Sequence, residues 1–340
     1  MSLTLLKDTV RTYFRGIGQV MFQESAWTGL LFLAGIFWGA YECHSPQVAW
    51  GGVVGAAASV LGGYIMGEKP SDGAAGLWGF NGVLVGCAFP TFLADTWLMW
   101  ACLVFCSLFS TWVRRAFNNV MAPWKVNSLT FPFVFTTWIF LLAAGILHGL
   151  DAPGLSAPIM REDFSYTIDT RFGDLVVYWL KGISQVFLID SWVTGVFFIV
   201  ALAVSSRWAA FWAMVASAIS LALALLFQAD PTNISSGLFG FSPVLTGIAF
   251  GCTFLKPGWK SALWTVTAVI ATFFIQAAMD VMFKNWGIPT LTGPFCIATW
   301  LFLLPLYHFD NRDISVKTAW RDYEESVGDD APQDGNDRLL

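Results

Sequence analysis

The chain has 340 residues, of which 56% are hydrophobic and 12% charged, roughly half the charged share of about 25% found in soluble domains. With 18 Trp, 31 Phe and a mean hydropathy of +0.62, it carries more apolar area than a water-soluble core of this size can hide. The formal net charge of −5 says little by itself, because 14 of the 23 acidic residues fall in segments 151–174 and 310–340, outside the apolar runs.

The apolar runs are too long and too continuous for the alternating strands of a barrel, so the fold class is an all-α polytopic membrane protein. The first segment carries Lys7, Arg11 and Arg15 and lacks the short apolar core of a cleaved signal peptide. Residues 12–23 are apolar but too few to cross about 30 Å of hydrocarbon, which takes roughly 20 helical residues. They read as an interfacial amphipathic helix or as a re-entrant half-helix, and the return of such a piece in the second half favours the re-entrant reading. Five spans follow, at 24–41, 47–66, 75–93, 96–113 and 131–148. After a polar linker, a second short apolar piece at 175–189 precedes spans at 190–205, 208–228, 237–255, 259–282 and 293–308.

The second set repeats the first. Arg15-Gly-Ile-Gly-Gln19-Val-Met-Phe22 returns as Lys181-Gly-Ile-Ser-Gln185-Val-Phe-Leu188, an offset of 166. Gly76-Leu-Trp-Gly-Phe80-Asn-Gly-Val-Leu84 returns as Gly237-Leu-Phe-Gly-Phe241-Ser-Pro-Val-Leu245, an offset of 161. Leu129-Thr130-Phe-Pro132-Phe133 returns as Leu291-Thr292-Gly-Pro294-Phe295, an offset of 162. Such a duplication points to a repeat architecture. Five spans per repeat is an odd number, so the second repeat enters the membrane from the opposite side, as inverted repeats do. The expected organisation is a first repeat over 1–148, an external linker over 149–174, a second repeat over 175–309 and a cytoplasmic tail over 310–340. With both termini inside, fourteen of the 18 Lys and Arg fall on the cytoplasmic side, the asymmetry of the positive-inside rule.

Catalytic motifs are absent, and nothing suggests an enzyme, a cofactor or a metal site. The six cysteines lie in or at the edges of apolar runs and read as small buried residues. Histidine occurs only at span ends, and charge inside the spans is almost missing, which leaves no carrier for ion coupling. Asp280 and Lys284, one turn apart, read as a capping ion pair. The pathway must then be lined by neutral groups: Gln19 and Gln185 at the ends of the half-helices, and Thr130 and Thr292 just before the helix-starting prolines Pro132 and Pro294. Those threonines also read as ordinary N-caps, and both readings can hold together. Phe80 with Leu84, and Phe241 with Leu245, share helical faces that repeat symmetry can oppose as two flat walls.

Over about residues 12–308 these motifs resemble those of the urea transporter family, bacterial members included. The resemblance implies ten spans with two half-helices, a pore through each protomer of a homotrimer, and passive conduction of urea. It further implies that Gln19 and Gln185 face the lumen, and that Thr130 and Thr292 flank the midpoint of the filter. Phe22, Phe80, Leu84, Leu188, Phe241 and Leu245 would form the walls of a slot. Urea is flat, neutral and rich in N–H donors, so a row of acceptor oxygens suits it. The implied setting is an inner or plasma membrane, with urea and the lipid bilayer as partners and no nucleic acid. The competing readings are a channel of the same fold for other short amides or ammonia, and an ion-coupled secondary transporter.

Overall fold

In the computed structural model, residues 3–156, 160 and 164–307 are described; the expected tail at 310–340, His308 and most of 157–163 lie outside them. The regular structure of the described residues is helical.

Each half begins with a helix that stops short and turns back. In the first half this is α1 (Leu3–Gln19), and the chain reverses at Phe22, whose φ is 60°. A non-glycine residue in the left-handed region is uncommon. The bond from Phe22 N–H to the Gln19 carbonyl, 3.0 Å, holds it there. An ion pair between Arg15 and Glu24, 3.5 Å, closes the turn. Ser25 then caps α2 (Ala26–Glu42) by accepting from the Thr28 N–H. A short turn leads to α3 (Pro46–Ile65), the small helix α4 (Pro70–Ala74), α5 (Phe80–Phe92), α6 (Trp97–Met121) and α7 (Phe131–Ala144).

The second half runs through the same order: α8 (Phe172–Ser184), α9 (Trp192–Ser205), α10 (Arg207–Leu226), α11 (Pro231–Ser235), α12 (Phe241–Ile248), α13 (Trp259–Phe283) and α14 (Gly293–Leu303). Its turn is built alike, with Leu188 at φ 59°, an ion pair from Lys181 to Asp190 at 2.8 Å, and Ser191 accepting from the Thr194 N–H. α8 with its terminal turn and α9 are bent by 71° relative to one another. Left-handed backbone also recurs in pairs at Gly76 and Gly237 and at Leu129 and Leu291.

The third expected span of each half is corrected in length: the chain is helical only from Phe80 and Phe241 onward, whereas α7 and α14 begin at Phe131 and Gly293, where the fifth spans were expected. α5 has 13 residues, about 20 Å of helix against about 30 Å of hydrocarbon. The reason lies in the glycines. Gly76 and Gly237, with φ of 86° and 72°, turn the chain. Gly79 and Gly240 bring the next residues against the half-helices: a Cβ on Gly79 would stand 3.1 Å from the Gly16 Cα, and one on Gly240 2.5 Å from the Gly182 Cα. Helix starts only beyond that contact.

By length and composition α3, α6, α10 and α13, with the short turns that extend α6 and α13, are able to cross a membrane, while α5, α7, α12 and α14 are shorter apolar helices. Trp97, Trp259 and Ile65 are more than 70% exposed on the outer surface, which suits lipid and not water. This is the architecture of a multi-pass helical membrane protein.

Contacts between the halves are reciprocal. Thr28 Oγ1 donates to the Ala201 carbonyl at 3.1 Å, and Thr194 Oγ1 to the Gly35 carbonyl at 2.8 Å. Trp138 Nε1 donates to the Pro289 carbonyl at 2.8 Å, and Trp300 Nε1 to the Asn127 carbonyl at 2.9 Å. Phe32 and Phe198, equivalent in the two repeats, meet edge to face with centroids 5.0 Å apart.

Candidate functional site: a polar line between two half-helices

Irregular backbone at membrane depth is tolerated only where protein encloses it or where it lines a cavity. The stretches leading into α7 and α14 meet this condition, since Ser128, Leu129, Thr290 and Leu291 are all buried. They deliver Thr130 and Thr292 to one point, where the two hydroxyl oxygens lie 2.7 Å apart. Neither threonine side chain caps its helix. The N-cap reading is therefore corrected: each hydroxyl is committed to its equivalent in the other repeat. The Cys296 thiol lies 3.4 Å from the Thr130 hydroxyl.

The glutamines are anchored alike. Gln19 Nε2 donates to the Ala75 carbonyl and Gln185 Nε2 to the Ser236 carbonyl, each at 2.8 Å. A carbonyl can only accept, so the amide nitrogen of each glutamine is committed and its Oε1 remains as an acceptor. Gln185 is buried and Gln19 half-buried.

The apolar residues divide. Phe22, Leu188 and Phe241 are half-buried, whereas Phe80, Leu84 and Leu245 are buried in the core. The Phe22 ring stands edge-on to Phe254 and Phe295, at 5.4 and 6.0 Å. A cavity of about 230 Å³ opens beside the second half-helix. Gln185, Leu188, Phe241 and Thr292 line it; Gln19, Phe22, Phe80, Leu84, Thr130 and Leu245 do not. The cavity also takes in Gly154, Leu155 and Ser156 from the linker.

Two features escape the sequence reading. Asn81, inside the repeated motif, sends Oδ1 to the buried N–H of Phe133 at the start of α7, 3.1 Å. Its equivalent Ser242 is buried with no partner for its hydroxyl. The second is Asp280, which accepts from Thr290 Oγ1 at 3.0 Å and forms no ion pair with Lys284, correcting the expected capping pair. Asn118, its first-repeat equivalent, accepts from the Ser128 N–H at 2.9 Å. Both brace the loop ahead of Thr130 or Thr292, and the repeat offset of 162 is the signal that pairs them. Of the cysteines, Cys87, Cys106 and Cys296 are buried as expected, while Cys43 is exposed at the end of α2.

The sequence pattern of the family described as Urea transporter matches residues 10–307. The chain belongs to the urea transporter family. This is a family of transport proteins, not of enzymes. Among curated relatives, urea transporter 1 of Ovis aries and that of Rattus norvegicus are each 29% identical over 297 residues, covering 85% of this chain and 75% of the relative. Urea transporter 1 of Mus musculus is 28% identical over the same span. The family match takes in both half-helices and both threonine segments.

Proposed function

We propose that this family member conducts urea passively, down its gradient, through a narrow pathway between its two repeats. The observation that carries the reading is the Thr130–Thr292 hydroxyl pair at the meeting point of α7 and α14, with Thr292 lining the same cavity as Gln185. On this reading a solute passes one glutamine oxygen, the paired hydroxyls and the other glutamine oxygen. Each accepts N–H bonds that urea gives up on leaving water, where an unpaired polar group costs about 1–3 kcal/mol by protein mutational measures. Phe22 and Leu188, and Phe80 and Leu84 with Phe241 and Leu245, form the flat walls. They admit a thin neutral solute and leave an ion without compensation for lost hydration.

The architecture behind the pathway is two inverted repeats, over 1–148 and 175–309, each with five membrane-crossing segments and one half-helix. Reciprocal bonds at α2 with α9, and at Trp138 with Trp300, support it: a two-fold axis makes residue i meet j as j meets i. The linker 149–174 lies outside and both termini inside an inner or plasma membrane, and the protein assembles as a homotrimer with one pathway in each protomer.

The test is urea flux by light scattering in proteoliposomes, with and without sodium and proton gradients. Equal flux in all conditions is expected. Uphill accumulation driven by either gradient would replace this reading with coupled transport, and flux of ammonia or short amides without urea would replace the substrate.

A further inference from the structure

The two repeats differ most in the charge around their ends. Gln276, on the wall of the cavity beside Gln185, is 3% exposed. Its Nε2 donates to the Leu238 carbonyl at 2.6 Å, and its Oε1 is buried without a hydrogen-bond partner. One turn further along α13, the Asp280 carboxylate lines the same cavity, with Thr290 on one oxygen and no cation paired to it among the described residues. Asn233 and Thr290 complete the polar wall. At the equivalent positions of the first repeat stand Arg114 for Gln276, Asn118 for Asp280 and Asp72 for Asn233. There the charges cancel, since Arg114 pairs with Asp72 at 2.8 Å and Arg115 lies 3.8 Å from Glu68. Among the described residues, one end of the molecule thus carries a carboxylate with no cation paired to it, and the other arginines paired with carboxylates.

We propose that the cavity at Asp280 binds planar guanidinium and amidinium cations and holds them at this mouth. A carboxylate takes a guanidinium fork through two parallel N–H···O bonds. A cavity of about 230 Å³ accommodates an ion of urea's size and shape. The rest of its wall includes Leu188, Phe241 and Thr292, none of which carries charge, so the ion is held at Asp280 where a neutral urea continues. Guanidinium therefore competes with urea from one side only. This rests on the conduction reading above; binding itself does not.

The experiment has two arms. In vesicles of known orientation, urea flux is measured with guanidinium chloride on one face or the other, against equal tetramethylammonium chloride. Each variant is read relative to its own unblocked flux. Block is expected only from the face where Ser156 is accessible. Asp280→Asn should raise the half-blocking concentration by about tenfold or more, the weight of a charge-assisted hydrogen bond. Asparagine is a fitting replacement because Asn118 already accepts from its own loop. In the second arm, thermal unfolding of detergent-purified protein is followed with each cation. Guanidinium at low concentration should raise the midpoint of wild type over tetramethylammonium, and not that of Asp280→Asn. If no urea flux exists, the conduction reading fails and the second arm still decides binding. Equal block from both faces, equal block in Asp280→Asn, or stabilisation by guanidinium that Asp280→Asn retains would overturn the proposal.

Discussion

Thr130 and Thr292, 162 positions apart in the chain, bring their hydroxyl oxygens to 2.7 Å. Each lies at the start of a helix without capping it, so the hydroxyl contact is not spent on helix stability. Thr130→Val keeps the shape and removes the oxygen. A urea at that point loses a hydrogen bond of about 0.5–1.5 kcal/mol, and flux per folded protein is expected to fall about two- to tenfold. Thr130→Ser should largely keep it, and the same series at Thr292 should behave alike. Unchanged normalised flux in every variant would make the threonines structural.

Asn81 and Ser242 are equivalent in sequence and opposite in energetics. Asn81→Ala strips a buried N–H of its acceptor, at a cost of about 1–3 kcal/mol. Ser242→Ala removes a buried hydroxyl that has no partner, and stability should hold or rise. Thermal unfolding of the two variants in detergent measures the contrast. Equal losses would mean that the cap on Phe133 carries no weight.

Gly240 is held closer to its half-helix than Gly79 is. An added methyl at Gly240 would meet the Gly182 Cα at 2.5 Å, and one at Gly79 the Gly16 Cα at 3.1 Å. Gly240→Ala should therefore cost about 1–3 kcal/mol by overpacking, and Gly79→Ala less. The same unfolding measurement ranks them, and the reverse order would contradict the packing argument.

Ser156 is exposed on the linker beside the cavity. In a background lacking the six native cysteines, Ser156→Cys should react with an impermeant thiol reagent from outside intact cells. Reaction only after lysis would reverse the proposed orientation.

The duplication was legible because Gln19 and Gln185, Phe80 and Phe241, and Thr130 and Thr292 keep their neighbours at nearly constant offsets. The chain reversals after α1 and α8 were legible in part, as short apolar pieces at 12–23 and 175–189, although α1 begins earlier, at Leu3. The half-length of α5 and α12 was not, because hydropathy counts Leu77 and Trp78 as membrane-compatible whether or not they are helical. Only the φ of Gly76 and its approach to the half-helix separate turn from span. The partners of Asn81 and Asp280 stayed hidden for another reason. An amide or carboxylate near a helix end has many local partners, and its choice depends on where a distant loop folds back.

The crossed bonds of Trp138 and Trp300 bear on biogenesis. A ribosome delivers the first repeat well before residue 289 exists, so the Trp138 indole, the Thr28 hydroxyl and the Thr130 hydroxyl enter the bilayer before their partners are made. A polar hydrogen without an acceptor is costly in hydrocarbon, and the nascent first repeat must stay near water, lipid headgroups or the insertion machinery until the second arrives. The two repeats are thus halves of one cooperative unit. Neither is a finished piece to which the other is added, and a translation arrest between them leaves a product with its donors still unmatched.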